Sequence, residues 1–338
     1  MGDRLDDYRR KRDAARTPEP VPERAPRRGR DDRFVIQQHH ARRLHWDLRL
    51  ERDGVLVSWA VPRGLPRDQG RNHLAVHTED HPLEYLTFAG EIPSGEYGAG
   101  QMKIFDRGRY HCEKWREDEV QVTLRGKRVS GRYVLFQTRG KDWMVRRMDP
   151  PPAGWTGMPE LVHPMRPVRA ARLPADDDAW AYELCWTGTR AIGYVSGGRL
   201  RLLSGADGAD DAGDADDAEL TRDFPGSRAL AESLAPTEAV LDGVLVTLGG
   251  TPQYLIFDLL WLEGADSTGL PYAERRELLD GLALAGPYWQ TPPHFTGGGR
   301  YALRTSREQG LAGVVAKRLD SPYRPGRASR DWLAIAAR

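Results

Sequence analysis

Within the segment FVIQQHHARRLHWDLRLE, Phe34–Glu51, residues Arg43–Leu50 alternate polar and apolar too strictly for a helix. Successive side chains of a strand point to opposite faces. Leu44, Trp46, Leu48 and Leu50 therefore share one face, and His45, Asp47 and Arg49 the other. Similar short runs surround it: FVIQ (34–37), GVLVSWAV (54–61), HLAVHT (73–78), GQMKIFD (100–106), EVQVTLRG (119–126), GRYVLFQT (131–138) and DWMVRRM (142–148). Turn-rich pieces such as PRGLPRD (62–68), EDHP (79–82) and IPSGEYGAG (92–100) separate them. Many short strands with frequent turns predict a mainly-β compact barrel over residues 34–150.

Outward from the barrel the texture changes. Residues 1–33 are charged and Pro-rich, which predicts a flexible basic arm with one short helix near Leu5–Arg16. PPAGWTG at 151–157 opens a linker over 151–165. Residues 166–338 mix strands (WAYELCW, RAIGYVSG, AVLDGVLVTL, QYLIFDLLWL, GVVAKRL, WLAIAA) with helical stretches (RALAESLA, YAERRELLDGLALA, RYALRTSREQG). That pattern predicts an α+β domain with antiparallel sheets. GADGADDAGDADDAE, residues 205–219, is expected as an exposed acidic loop.

Two domains suit 338 residues. No apolar run reaches the roughly 20 residues of a membrane span, no secretory leader opens the chain, and two cysteines make neither a disulfide scaffold nor a Cys-based zinc site. A cytoplasmic, nucleoid-associated protein with no membrane partner is expected. The net charge of +1 conceals +7 over residues 1–158 (31 Lys and Arg against 24 Asp and Glu) and −6 over 159–338. The first half is thus the one expected to meet a polyanion.

Six of the nine histidines fall between positions 39 and 81, a density that points to metal or acid–base chemistry. His45 and Asp47 share a strand face, His39 lies six residues upstream, and His81 stands at a proline turn with Tyr85 four residues on. Two imidazoles and a carboxylate suit Mn²⁺, Fe²⁺ or Zn²⁺. The same set serves a β-barrel non-haem iron oxygenase or a phosphoesterase, and spacing leaves both open. Arg49 on the ligand face favours phosphate-ester cleavage, where a guanidinium beside a metal binds a tetrahedral anion. His39 is preferred to its neighbour His40 on spacing alone.

Residues 1–150 resemble the 3′-phosphoesterase domain of bacterial ligase D. The resemblance rests on YRRKRD with TPEP (Tyr8–Pro20), FVIQQHHARRLHWDLRLE, SWAVPRG (58–64), LAVHTEDHPLEY (74–85) and IPSGEYGAGQMKIFDRG (92–108). It implies a manganese-preferring enzyme that removes a 3′-terminal ribonucleoside and then the 3′-phosphate. It also implies His39, His45 and Asp47 as metal ligands, and Arg49, His81 and Tyr85 at the scissile phosphate. His81 is expected as a general acid, and Arg12, Glu19, Gln37 and Arg63 as supporting polar residues. His73 departs from the arginine the family pattern leads one to expect.

Residues 160–338 resemble the nucleotidyltransferase domain of ATP-dependent DNA ligases, through YELCWTGTR (182–190), LDGVLVTL (241–248), FDLLWLEG (257–264) and GVVAKRLDSPYRPGRASRDWLAI (313–335). The lysine nucleophile of that family falls at Cys185 and the following aspartate at Thr187. Its glutamates fall at Val244 and Ala312, and its closing lysines at Ala334 and Ala336. Arg190, Phe257, Asp258 and Lys317 are kept. Loss of charge at so many positions predicts a pseudo-ligase with no functional ATP or AMP use, and no oligonucleotide-binding (OB) domain is expected after it. The expected partners are DNA 3′ ends on a primer-template, carrying a ribonucleotide or phosphate, and end-joining proteins such as Ku or a separate ligase or polymerase. A non-catalytic DNA-end scaffold is the competing expectation.

Overall fold

The computed structural model describes residues 3–24, 29–205 and 218–337. The chain divides into two compact units, Met1–Ala153 and Gly154–Arg338. Ten strands succeed one another in the first: β1 (Arg33–His40), β2 (Leu44–Arg52), β3 (Val55–Val61), β4 (His73–His77), β5 (His81–Pro82), β6 (Gly90–Ile92), β7 (Gly100–Trp115), β8 (Glu119–Arg125), β9 (Ser130–Arg139) and β10 (Asp142–Arg147). Hydrogen bonding runs β1-β2-β3-β4-β10-β9-β8-β7, and β7 returns to β1, so the sheet closes into an antiparallel barrel. Closure removes the exposed edges that would otherwise recruit another chain. β5 adds to β3 and β6 to β7.

The alternation in β2 is realised as expected. Leu44, Trp46, Leu48 and Leu50 are all buried, and each such side chain contributes about 1.5–3 kcal/mol. β7 runs on to Trp115, well beyond GQMKIFD. Its extension exposes Arg107, Arg109, His111 and Glu113 around buried Tyr110, so charge hides the strand periodicity.

The free arm expected over 1–33 is instead folded over residues 3–24. Helix α1 covers only Asp6–Arg10. Leu5 and Tyr8 are buried in one cluster with Val35, Val55, Tyr85 and Leu86. The charges that suggested solvent are paired: Arg4 with Asp80, Arg9 with Asp3, and Arg12 with Glu19 and Glu79. Residues 25–28 lie outside the described residues.

The second unit is α+β. One sheet runs Arg166–Ala170, Ala328–Ala336, Gly313–Arg318, Trp180–Leu184, His294–Thr296. The other runs Arg199–Ser204, Thr189–Ser196, Ala239–Leu248, Thr251–Leu262, Ala265–Asp266. Ladders are antiparallel except for two parallel pairings, at Arg166–Ala170 and at Trp289–Gln290. Helices Ser227–Leu234, Tyr272–Gly281 and Gly299–Glu308 lie where the helical stretches were expected. Residues expected as linker are docked: Trp155 meets Trp261 edge-on at 6.2 Å, the Val162 N–H donates to the Tyr194 hydroxyl at 2.7 Å, and Met165 is fully buried. Most of the expected acidic loop, 206–217, lies outside the described residues. Among the described residues no helix is long and apolar enough to cross a membrane.

Candidate metal centre

Antiparallel pairing of β1 with β2 sets His39 opposite His45, Gln37 opposite Asp47 and Val35 opposite Arg49. Period-2 alternation then gathers the polar members on one face. One ligand atom from each of His39, His45 and Asp47 lies within 4.8 Å of the others. His39 Nδ1 is 3.8 Å from Asp47 Oδ2, and His45 Nε2 is 3.5 Å from Asp47 Oδ1. A carbonyl can only accept, so the 3.0 Å contact of His45 Nδ1 with the Arg43 carbonyl fixes the proton on Nδ1 and leaves the Nε2 lone pair facing Asp47. His39 Nε2 is buried with no hydrogen-bond partner, a cost that a bound cation would offset. Burial, opposed by Asp47, keeps the His39 imidazole below its usual pKa, in the neutral form a metal requires. The donor set fits a divalent transition metal. His40 points to the other face by alternation and is not in the cluster.

Arg49 adjoins this cluster. Its Nη2 donates to Asp47 Oδ2 at 2.9 Å and its Nε to Gln37 Oε1 at 2.7 Å, while Nη1 is buried without a partner. Gln37 in turn donates to the carbonyls of Phe88 (2.9 Å) and Tyr85 (3.2 Å), anchoring Arg49 to the turn that follows β5. Tyr85 is buried behind Arg49: its ring lies 4.9 Å from the guanidinium and its hydroxyl donates to Glu19. It therefore braces Arg49, and its hydroxyl is engaged by Glu19. Glu19 also accepts from Arg12 Nε (2.7 Å) and Thr17 Oγ1 (2.8 Å). Arg12 continues to Glu79 at 3.1 Å and packs 3.9 Å from the Tyr8 ring. Tyr8 closes the set edge-on against His81 and Tyr85.

His81 is buried between these rings, and its Nδ1 donates to the Glu79 carbonyl at 2.8 Å. Burial first, then the charges of Arg49 and Arg12, hold its pKa well below 6.5. It is a neutral imidazole presenting a lone pair at Nε2. The general-acid role expected of it therefore first requires an anion beside it to raise that pKa.

Arg63 and His73 sit elsewhere on the rim. Arg63 is exposed in the turn after β3, and His73 Nδ1 contacts the Gly64 carbonyl at 2.7 Å. Sequence reasoning missed Tyr8 and Glu79, although both stand inside the quoted motifs. Their signal is only that a polar face must be covered by something. His77, outside the cluster, packs its ring on Trp59 and Trp143.

In the second unit the six altered positions are neutral. Cys185 is partly buried, and burial pushes its thiol pKa up despite Arg190, away from a reactive thiolate. Thr187 and Ala312 are exposed. Val244 packs with Val246, Leu255 and Phe257 in an apolar cluster where the family glutamate would stand. Ala334 and Ala336 lie opposite Val315 and Gly313. The retained charged groups pair with one another. Arg190 forms a two-pronged pair with Asp242, which also accepts from Tyr323 at 2.8 Å. Lys317 lies 2.9 Å from Glu183 as an ion pair without hydrogen-bond alignment, and Arg275 chelates Asp258 at 2.7 and 3.0 Å. Burial alone would raise the Asp258 carboxyl, but Arg275 and Lys317 outweigh it and hold it below its usual range.

Residues 37–137 match the DNA ligase D 3′-phosphoesterase domain family, and residues 245–335 the ATP dependent DNA ligase domain family. Across 98% of its length the chain is 42% identical to the multifunctional non-homologous end joining protein LigD of Mycolicibacterium smegmatis. It is 44% identical, over the same share, to the multifunctional non-homologous end joining DNA repair protein LigD of Mycobacterium tuberculosis. Each match covers 45% of the relative, so the chain spans about half the length of the curated relatives it matches. A solved mycobacterial DNA ligase D complexed with ATP and MES is 33% identical, over 52% of this chain and 60% of that one, at a TM-score of 0.45.

Proposed function

The chain is a ligase D-like fusion of a 3′-phosphoesterase domain with an ATP-dependent ligase adenylation domain, and from that premise we propose that it trims DNA 3′ ends in end-joining repair. It removes a terminal ribonucleoside and then the remaining 3′-phosphate, and its second unit performs no ligation. The observation that carries this reading is the shared face of β1 and β2, where His39, His45 and Asp47 converge and Arg49 bonds the same carboxylate.

His39, His45 and Asp47 would hold a divalent metal, which we take to be Mn²⁺. A metal held there would polarise a phosphoryl oxygen and lower the pKa of a coordinated water. Arg49 brings the unpartnered Nη1 N–H to the phosphate and offsets charge on the equatorial oxygens. Gln37 and Tyr85 hold that guanidinium in place, and Glu19 and Arg12 fix Tyr85. His81 takes a proton at Nε2 from a bound water, the neighbouring phosphate anion having raised its pKa, and passes that proton to the leaving oxygen. Arg63 and His73 grip the DNA backbone at the rim, so binding weakens with salt. The unit presents the resulting 3′-OH to partners such as Ku, a polymerase or an active ligase.

The test is a Mn²⁺-supplemented assay on a labelled primer-template ending in one 3′-ribonucleotide, run beside His45→Ala. Conversion to a 3′-phosphate and then a 3′-OH end, lost in the variant, is expected. Tight end binding with no processing by the wild type would overturn the catalytic reading and leave a DNA-end scaffold.

A further inference from the structure

The turn at 93–99 leads into β7 where that strand pairs with β1, setting Gln101 opposite His40 and Met102 opposite His39. Gly100 sits so close to β1 that an added Cβ would meet the His40 carbonyl oxygen at 2.3 Å, and the backbone of Gly98 lies against the His39 ring. The turn therefore borders the metal centre. Tyr97, within it, is 49% exposed, the only exposed Phe, Tyr or Trp side chain among the described residues of the first unit.

That ring is held in place. Lys11 Nζ donates to the Tyr97 hydroxyl at 3.3 Å and lies 4.6 Å from the ring centroid, and the Arg12 guanidinium is 5.3 Å from the same centroid. Arg16 pairs with neighbouring Glu96 at 2.7 Å. Lys11 and Arg12 also donate to Glu79, at 3.0 and 3.1 Å, and the Glu79 carbonyl accepts from His81 Nδ1 at 2.8 Å. Arg12 packs in addition on Tyr8, whose ring stands edge-on to His81 at 5.2 Å. Tyr97 is thus tied to His81 by two routes.

We propose that Tyr97 is the stacking platform for the base of the departing nucleoside and so a specificity-determining residue; the inference rests on the 3′-end-processing reading. In the first cleavage a water oxygen bonds to phosphorus, the bond from phosphorus to the 5′ oxygen of the terminal ribonucleoside breaks, and that oxygen takes the His81 proton. The departing nucleoside therefore lies on the His81 side of the phosphate, the side to which Tyr97 is tied. An aromatic ring with cations beside it and about half its surface open offers a base a place to stack. Every base has a π face, so such a platform favours a nucleoside over a bare sugar without choosing among bases.

The full chain is assayed with Mn²⁺ on two primer-templates, one ending in a 3′-ribonucleotide and one ending in the same ribose without its base. The wild type should release the base-bearing terminus with a kcat/KM about tenfold higher, the scale of one base–aromatic stack. Tyr97→Ala should bring the two substrates within about twofold of each other by slowing the base-bearing one, and Tyr97→Phe, which keeps the ring, should retain the preference. Equal wild-type rates on the two substrates, or equal slowing of both by Tyr97→Ala, would overturn the platform; the latter is what a merely structural role of the turn produces. A preference that follows the base of the penultimate nucleotide instead, and is lost in Tyr97→Ala, would overturn the assignment to the departing nucleoside. Failure of the wild type on both substrates would overturn the 3′-end-processing reading and this inference with it, whereas processing with an unchanged ratio in Tyr97→Ala would overturn this inference alone.

Discussion

Arg49 spends its planar fork on two partners at once, Gln37 through Nε and Asp47 through Nη2, and keeps Nη1 for a third. Lysine carries the same charge but no fork. Arg49→Lys should therefore leave the barrel folded and lower kcat on a 3′-phosphate oligonucleotide by about 100-fold, the scale of a misplaced catalytic group. Gln37→Leu should act in the same direction without removing any charge, which marks Gln37 as a positioning residue. Steady-state kinetics of the two variants against wild type checks this, and wild-type kcat in Arg49→Lys would refute it. His81 gives a pH signature. Free imidazole titrates near 6.5, and burial with Arg49 and Arg12 nearby depresses the folded value. Below about pH 6.5 the unfolded chain takes up a proton that folded His81 refuses, so stability present above that pH is lost as pH falls toward the folded pKa. His77, depressed by burial and by Lys141, adds in the same sense. The urea midpoint should drop on acidification below about 6.5, and His81→Gln should flatten that drop.

At the scale of elements, strand β2 was legible because its face of Leu44, Trp46, Leu48 and Leu50 is apolar throughout, and strand alternation then puts His45, Asp47 and Arg49 together without further information. What covers that face was not legible. The segment from Asp3 to Arg24 looks like a solvated arm, because charge density is a good guide to solvent only when charges lack partners. Here Arg12 bridges two buried carboxylates, Glu19 and Glu79, 67 positions away along the chain in the second case. No local pattern reports such a pairing. The later half of β7, paired with β8, was missed because its outward side is charged and masks the alternation. The arm is therefore part of the site. Arg12→Ala should leave buried Glu19 without its cationic partner, while Glu79 keeps Lys11, and cost about 3–5 kcal/mol, as for a broken buried ion pair. It should also abolish processing by loosening Tyr85. Chemical denaturation should show the loss, and a change under 1 kcal/mol would mean the arm is only loosely laid on the barrel.

Taken as a whole molecule, the chain joins one polar site that is built outward from its own strands to another whose remaining charges are turned inward on each other. The altered ligase positions were legible singly, as Cys185, Thr187, Val244, Ala312, Ala334 and Ala336. The mutual pairing of Arg190 with Asp242 and of Lys317 with Glu183 was not, since each depends on strands far apart in sequence that become neighbours within one sheet. That pairing bears on the proposed absence of ligation. Restoring the nucleophile with Cys185→Lys returns one group to a place whose thiol is already discouraged from ionising by burial. A lysine there meets no partner lysines at 334 and 336 to draw in a triphosphate. At 244 a carboxylate would have to enter an apolar cluster with Leu255 and Phe257, at a cost of several kcal/mol. Incubation of Cys185→Lys with α-labelled ATP and Mg²⁺ or Mn²⁺ should therefore give no covalent AMP adduct above the wild-type background, and adding Thr187→Asp should not change this. A labelled band in the single variant would mean that the pocket still collects and orients ATP, and that one side chain alone separates this unit from a ligase.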